Sequence, residues 1–253
     1  MDKKKTRIIR IIIPVTTFIL FILIGEIVVK VFNISTITLP APHAIVLALI
    51  NNWQTLILNT GITMLESVLG FLLGSLVAYC LAIGFVYSPN IRLAIYPYAV
   101  ALKSTPIIAI APLLILWFGN GLESKIVMSA LVAFFPVLVN SVDGLTSIET
   151  ELIDLMKSLA ATRRQILYKI RIPNSLPNLF TALKISSTLS VVGAVIGEFT
   201  GASKGIGYVI NTASYYLNTD LMFAAIFLIS LGGILFFYFI NYMERTIVFW
   251  KQN

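Results

Sequence analysis

Charge is scarce in this chain: Asp, Glu, Lys and Arg make up 11% of its 253 residues, where soluble domains carry about a quarter. Hydrophobic residues supply 58%, more apolar surface than a water-soluble globule of this size can hide. Cysteine is nearly absent. Cys80 is the one copy, so no intrachain disulfide can form. Histidine is as rare. His43 has no Cys, Asp or Glu at ligand spacing, which excludes a recognisable metal site and leaves a loop residue after Pro42. No Ser-His-Asp arrangement and no carboxylate pair suited to acid–base work is found, so no catalytic residues and no cofactor are expected. The stretch Gly201-Ala-Ser-Lys-Gly-Ile-Gly207 is glycine-rich but lacks the Gly-Lys-Ser/Thr of a phosphate loop and follows no strand. It reads as a tight external turn. Internal repeats, low-complexity tracts and a soluble domain are also missing.

Long apolar runs are present instead. A helix that crosses a bilayer needs about 20 apolar residues. Runs at 8–32, 61–87, 91–118, 125–144 and 221–243 qualify. A sixth, 176–199, is interrupted by Lys184 near one end. The expected fold is all-α: a polytopic transmembrane helical bundle of six spans in a single domain, 1–253. The first run has the basic head and apolar body of a signal peptide, but the body is too long and no small-residue cleavage site follows. A retained anchor is expected.

The net charge of +7 does not mark a nucleic-acid protein, because of where it lies. With the N-terminus inside, the cytoplasmic segments hold Lys3, Lys4, Lys5, Arg7, Arg10, Arg92, Lys157, Arg163, Arg164, Lys169, Arg171, Lys184, Arg245 and Lys251. Only Lys30, Lys125 and Lys204 lie near the outside, and Lys103 lies within a span. This asymmetry follows the positive-inside rule and gives an N-in, C-in orientation. Two connections are long. Asn33–Asn59 lies outside, and the more polar Ser147–Ser175 lies inside.

The inner connection carries a pattern. Leu152, Leu155, Met156 and Leu159 form a stripe at helical spacing after the acidic Glu149–Asp154. Thr162–Arg171 reads as a second amphipathic helix. Ile166, Leu167 and Ile170 share one face, Arg163, Arg164, Lys169 and Arg171 occupy the others, and Pro173 and Pro177 end it. As residues alone, the pair is either a basic loop on anionic lipid or a docking element.

Asp154, Ala160, Ile170, Ile172 and Pro173 stand at the spacings of the cytoplasmic Glu-Ala-Ala…Gly…Ile-x-Leu-Pro motif of ABC importer permeases. Leu39-Pro-Ala-Pro42, Thr105–Gly119, Phe134–Asn140 and Glu198–Gly207 match four further stretches in family order. The chain thus resembles a binding-protein-dependent permease of the nitrate/sulfonate/taurine type, similar to permeases for thiamine-precursor pyrimidines or riboflavin. The resemblance implies a permease subunit in a bacterial inner membrane, passing a small solute delivered by an extracytoplasmic binding protein. It also implies ATPase subunits as separate partners, a second copy of the chain, and an external amphipathic helix after Pro42. The residues implied for ATPase coupling are Asp154, Ala160, Thr162, Arg163, Arg164, Gln165, Ile166, Leu167, Ile170 and Pro173. Leu155 and Met156 replace the motif's alanines. Ala160 replaces its glycine, so the turn must form without a residue indifferent to positive φ.

Ionisable groups inside spans are costly and mark function by default. Glu66, Lys103 and Glu198 qualify, and Pro106 lies beside Lys103. They are candidates for a translocation pathway, with Lys103 expected to pair with a glutamate; a structural ion pair is the competing account. The same three residues define the alternative function, an ion- or proton-coupled secondary transporter. Glu26 and Lys30 are expected to form an i,i+4 pair. Gly70 and Gly74 have the small-xxx-small spacing of close helix contacts, and Gly232 and Gly233 offer a similar feature. Pro97, Pro106, Pro112 and Pro136 interrupt the third and fourth spans and place the route near the third.

Overall fold

The computed structural model describes residues 3–251, with side chains described from 12 to 250 except at 18. The side chains of Lys3, Lys4, Lys5, Arg7, Arg10 and Lys251, which entered the charge count, lie outside that set. Among the described residues every regular element is helical. Long helices are α1 (Lys3–Val31), α3 (Trp53–Tyr87), α6 (Leu122–Thr146), α9 (Ile172–Gly201) and α11 (Thr219–Ile247). Each contains a window long and apolar enough to span a membrane. Shorter helices are α2 (Pro42–Asn51), α4 (Pro89–Ser104), α5 (Ile107–Phe118), α7 (Thr150–Ser158), α8 (Arg163–Ile166) and α10 (Ile206–Tyr215). The helix expected at Pro42 is α2; its side of the membrane is an expectation from the charge asymmetry.

The third span is not one helix. α4 and α5 meet at a 105° bend. Of the four prolines named above, only Pro106 sits at a break, as the N-cap of α5; Pro97, Pro112 and Pro136 lie within helices. Thr105 is extended, as a residue before proline tends to be. Five candidate spans are single helices, and the count reaches the expected six if the bent pair crosses as one.

α6 is the centre of the bundle. It is gripped by small residues on two sides. Gly70 and Gly74 of α3 lie against Ile126 O, Ser129 and Ala130 O, and Gly193 and Gly197 of α9 lie against Met128, Ser129 and Lys125. Where backbones come this close, serine hydroxyls reach across. Ser129 Oγ donates to Ser190 O over 2.9 Å, and Ser186 Oγ to Ala133 O over 2.8 Å. Close approach and interhelical hydrogen bonds replace the hydrophobic drive that lipid removes. Gly232 meets Met64, whereas Gly233 meets nothing within 4 Å. Apolar side chains face outward instead, as at Phe21, Leu76 and Leu116, the surface lipid is expected to cover.

The amphipathic pair does not end at Pro173. α8 runs through a π-helical turn, Leu167–Arg171, straight into α9. Ile172 N–H bonds Leu167 O, one residue wider than α-helical spacing. Pro173 then falls in the first turn of α9, directly after the wide turn, and Pro177 is absorbed within the helix. The same wide turn points Ile166 and Leu167 inward. Both are buried, Leu167 in the cluster that holds Phe85, Leu145 and Ala182. Neither side chain is therefore on the exposed surface of the connection.

Candidate functional site

Three regions hold the residues singled out in the sequence. The first is the connection between α6 and α9. No residue of α7 is buried. Leu155 is 55% and Leu159 70% exposed, and Leu152 is exposed beside them. Asp154 and Lys157 form an exposed ion pair at 2.8 Å. α7 closes with Ala161 N–H on Met156 O (3.0 Å) and Ala160 N–H on Lys157 O (2.9 Å). This is the two-bond helix stop that favours glycine at its left-handed position. Here Ala160 takes it, at φ 55°. The turn therefore forms despite the missing glycine, with local strain.

Thr162 then caps α8. Its N–H donates to Gln165 Oε1 (2.7 Å), and Gln165 N–H donates to Thr162 Oγ1 (3.3 Å), a complete capping box. Arg163, Arg164 and Gln165 are exposed, Ile170 is half-buried, and the Arg164 guanidinium lies 5.7 Å from the Tyr168 ring centre.

The second region is the bend. A cavity of about 330 Å³ opens there, lined by Lys103, Thr105, Pro106, Phe134, Phe135 and Leu189 among others. Lys103 does not pair with a glutamate. Its ammonium sits 4.6 Å from the centre of the Phe135 ring, a cation–π contact. Lys103 and Pro106 are thus brought together, but Glu66 and Glu198 are elsewhere.

Those two carboxyls belong to the third region, where α3, α9 and α10 meet. Glu198 is 1% exposed. Its Oε1 accepts from the Thr63 hydroxyl, and its Oε2 from Gly207 N–H, each at 2.5 Å. Ile206 N–H donates to Thr63 Oγ1 and Gly205 N–H to Asn59 Oδ1, both at 2.8 Å. The open N–H groups at the start of α10 are therefore satisfied by α3 and α9 in place of a local cap. A Cβ at Gly205 or Gly207 would run into the Glu198 carboxylate. The glycine-rich stretch is a docking surface for its own chain and not a free turn. Glu66 is 3% exposed, and its carboxyl is hydrogen-bonded to that of Glu198, with Oε2 left without a partner.

Lys125, counted as an outer-end residue, is instead 1% exposed. It donates to Asn120 O (2.8 Å) and to Gly201 O at the end of α9 (3.4 Å). Sequence reading missed it because a lysine at the edge of an apolar run looks solvated. Its packing neighbour on α9 is Gly197, where a Cβ would come within 3.1 Å of Lys125 Cγ. Glu26 does pair with Lys30 (2.8 Å), and it also accepts from His43 Nδ1 (2.9 Å). His43 thus ties α1 to α2. No group of three or more metal-binding side chains occurs among the described residues.

Residues 70–248 match the family described as binding-protein-dependent transport system inner membrane component. The chain is 32% identical over 241 residues to the formylaminopyrimidine transport permease protein of Halalkalibacterium halodurans, covering 95% of this chain and 96% of that one. It is 32% identical over 226 residues to a putative aliphatic sulfonates transport permease protein of Bacillus subtilis, covering 87% and 80%. In three dimensions it resembles a chain of the MetNI methionine ABC transporter in an inward-facing conformation. The TM-score is 0.69, with 19% identity, 77% of this chain and 97% of that one covered. That likeness is one of fold.

Proposed function

The chain belongs to the family of binding-protein-dependent transport system inner membrane components, and from that premise we propose that α7 is the contact through which a separate ATPase subunit drives it. Its relatives are ABC importer permeases of the nitrate/sulfonate/taurine type, so it is a multi-pass inner-membrane permease and not an ion-coupled secondary transporter. The carrying observation is the exposure of the apolar side of α7, at Leu152, Leu155 and Leu159, on a helix outside the spans. An amphipathic helix of this kind fits a groove on a partner, with Arg163 and Arg164 beside it for the rim. Ile166 and Leu167 contribute by fixing the element to the bundle. Asp154, Ala160, Thr162 and Gln165 shape it, and Ile170 and Pro173 lead it into α9.

The route for solute runs past the bend, where the Lys103–Pro106 cavity adjoins Phe134 and Phe135. A bent span facing a cavity is where irregular backbone is tolerated at membrane depth. We assign the solute to the class of small heterocycles, on the likeness to the formylaminopyrimidine permease and the presence of Phe134 and Phe135 in the cavity lining. The remaining parts of the reading are an N-in, C-in orientation, a homodimer, ATP hydrolysis on a separate chain, and an extracytoplasmic binding protein as donor.

Leu155→Asp tests the docking helix. A charge at the centre of an interface costs about 2 kcal/mol or more, so the ATPase subunit should be lost from the purified complex. The variant should still insert, since α7 packs on nothing that insertion requires. Recovery of the ATPase at wild-type yield would place the contact elsewhere.

A further inference from the structure

The connection that leaves α6 and returns as α9 is closed at its base by a side-chain hydrogen bond, beside the buried Leu167. Arg171, the last residue of the π-helical turn, donates from Nη1 to Leu145 O over 2.6 Å. Leu145 is the penultimate residue of α6, where a carbonyl has no partner within the helix. A cation there also meets the negative end of the helix dipole. Nearby, Asn174 Nδ2 lies 3.5 Å from both Gly144 O and Ser147 Oγ. The helices touch at this level: a Cβ on Gly144 would come within 2.9 Å of Asn178 Cβ. α7, by contrast, has no buried residue. The connection is therefore an exposed lever on a base pinned to two spans.

We infer that Arg171 is a positioning residue for energy coupling: its bond to Leu145 makes α6 and the start of α9 move together when α7 is displaced. The inference rests on reading α7 as the ATPase contact. Two joints on either side of α7 would otherwise absorb the displacement. One is the short link 147–149; the other is the π-helical turn, whose wider hydrogen-bonded rings depart from regular α-helical packing. With the guanidinium in place, the turn is fastened to the end of α6, and α6 is the element gripped by both α3 and α9. A push on α7 then reaches the centre of the bundle.

The test uses the complete complex with its ATPase subunits, in the Cys80→Ala background. A nitroxide spin label is placed at Ser158→Cys on α7 or at Glu123→Cys at the far end of α6, both exposed positions. Spectra are compared before and after trapping with MgATP and vanadate. Without further change, trapping should shift the spectrum at both positions. In Arg171→Ala the shift at Ser158 should persist and the shift at Glu123 should be lost. Arg171→Lys, which keeps a donor of similar reach, should restore it. Shifts at both positions in Arg171→Ala would overturn the inference. So would loss of both, which would make Arg171 an assembly residue. An absent shift at Ser158 without any change at Arg171 would instead reject α7 as the contact.

Discussion

The Thr63 hydroxyl donates to the Glu198 carboxylate over 2.5 Å while accepting from Ile206 N–H over 2.8 Å, so one α3 side chain joins α9 to the start of α10. Membrane proteins keep buried carboxylates where they are paired or hydrogen-bonded, because desolvation is otherwise too costly. Glu198 meets that condition through Thr63 and Gly207, whereas Glu66 is hydrogen-bonded to Glu198 and its Oε2 has no partner.

That contrast predicts unequal losses for two conservative changes. Glu198→Gln turns one acceptor into a donor facing Gly207 N–H or the Thr63 hydroxyl, and should cost about 2–3 kcal/mol. Glu66→Gln keeps a donor toward the Glu198 carboxyl, to which Glu66 is hydrogen-bonded, and should cost far less. Thermal unfolding of the two variants in detergent checks the order. Equal losses would mean that the α10 cap is not what Glu198 sustains.

Ala160 holds a left-handed turn that glycine adopts freely. Ala160→Gly should stabilise the connection by about 1 kcal/mol, since the strain relieved exceeds the entropy that glycine adds to the unfolded chain. Slower limited proteolysis between α7 and α8 is the expected readout. Faster cleavage would show that the alanine turn is unstrained.

Gly193 lies at a close approach of α6 and α9, with Ser129 Cα 2.8 Å and Met128 O 3.0 Å from a Cβ placed on it. Gly193→Val should force the helices apart at a cost of about 1–3 kcal/mol. Gly233→Val, at a position with nothing within 4 Å, is the control and should be tolerated. Comparable yields of folded protein from both would refute the packing account.

Lys103 lines the cavity at the bend and has a ring, not a carboxylate, as its partner. Lys103→Met keeps the stem and removes the charge. It should leave assembly with the ATPase unchanged, and uptake should fall if solute passes this cavity. Unchanged uptake in whole cells would move the route away from the bend.

Orientation is open to labelling. With Cys80→Ala as background, a cysteine at Tyr216, which is 73% exposed, should react with an impermeant thiol reagent on intact cells. One at Arg164 should react only after the membrane is opened. The reverse pattern would invert the bundle.

Composition and run length by themselves determined the helical membrane bundle, because a bilayer demands long apolar segments whose backbone bonds are satisfied within each helix. Local spacing likewise sufficed for the exposed apolar stripe of α7 and for the close approach at Gly70 and Gly74. The tertiary structure alone decided which polar groups meet. Arg171 and Leu145 are 26 residues apart, and Thr63 and Glu198 are 135 apart. Helical periodicity carries no information across such distances. It also decided that Lys103 rests on Phe135, that Lys125 is buried, and that Ile166 and Leu167 turn inward. Each outcome depends on how neighbouring helices close over a side chain, and for the last pair on one extra residue in a π-helical turn that rotates everything before it relative to α9.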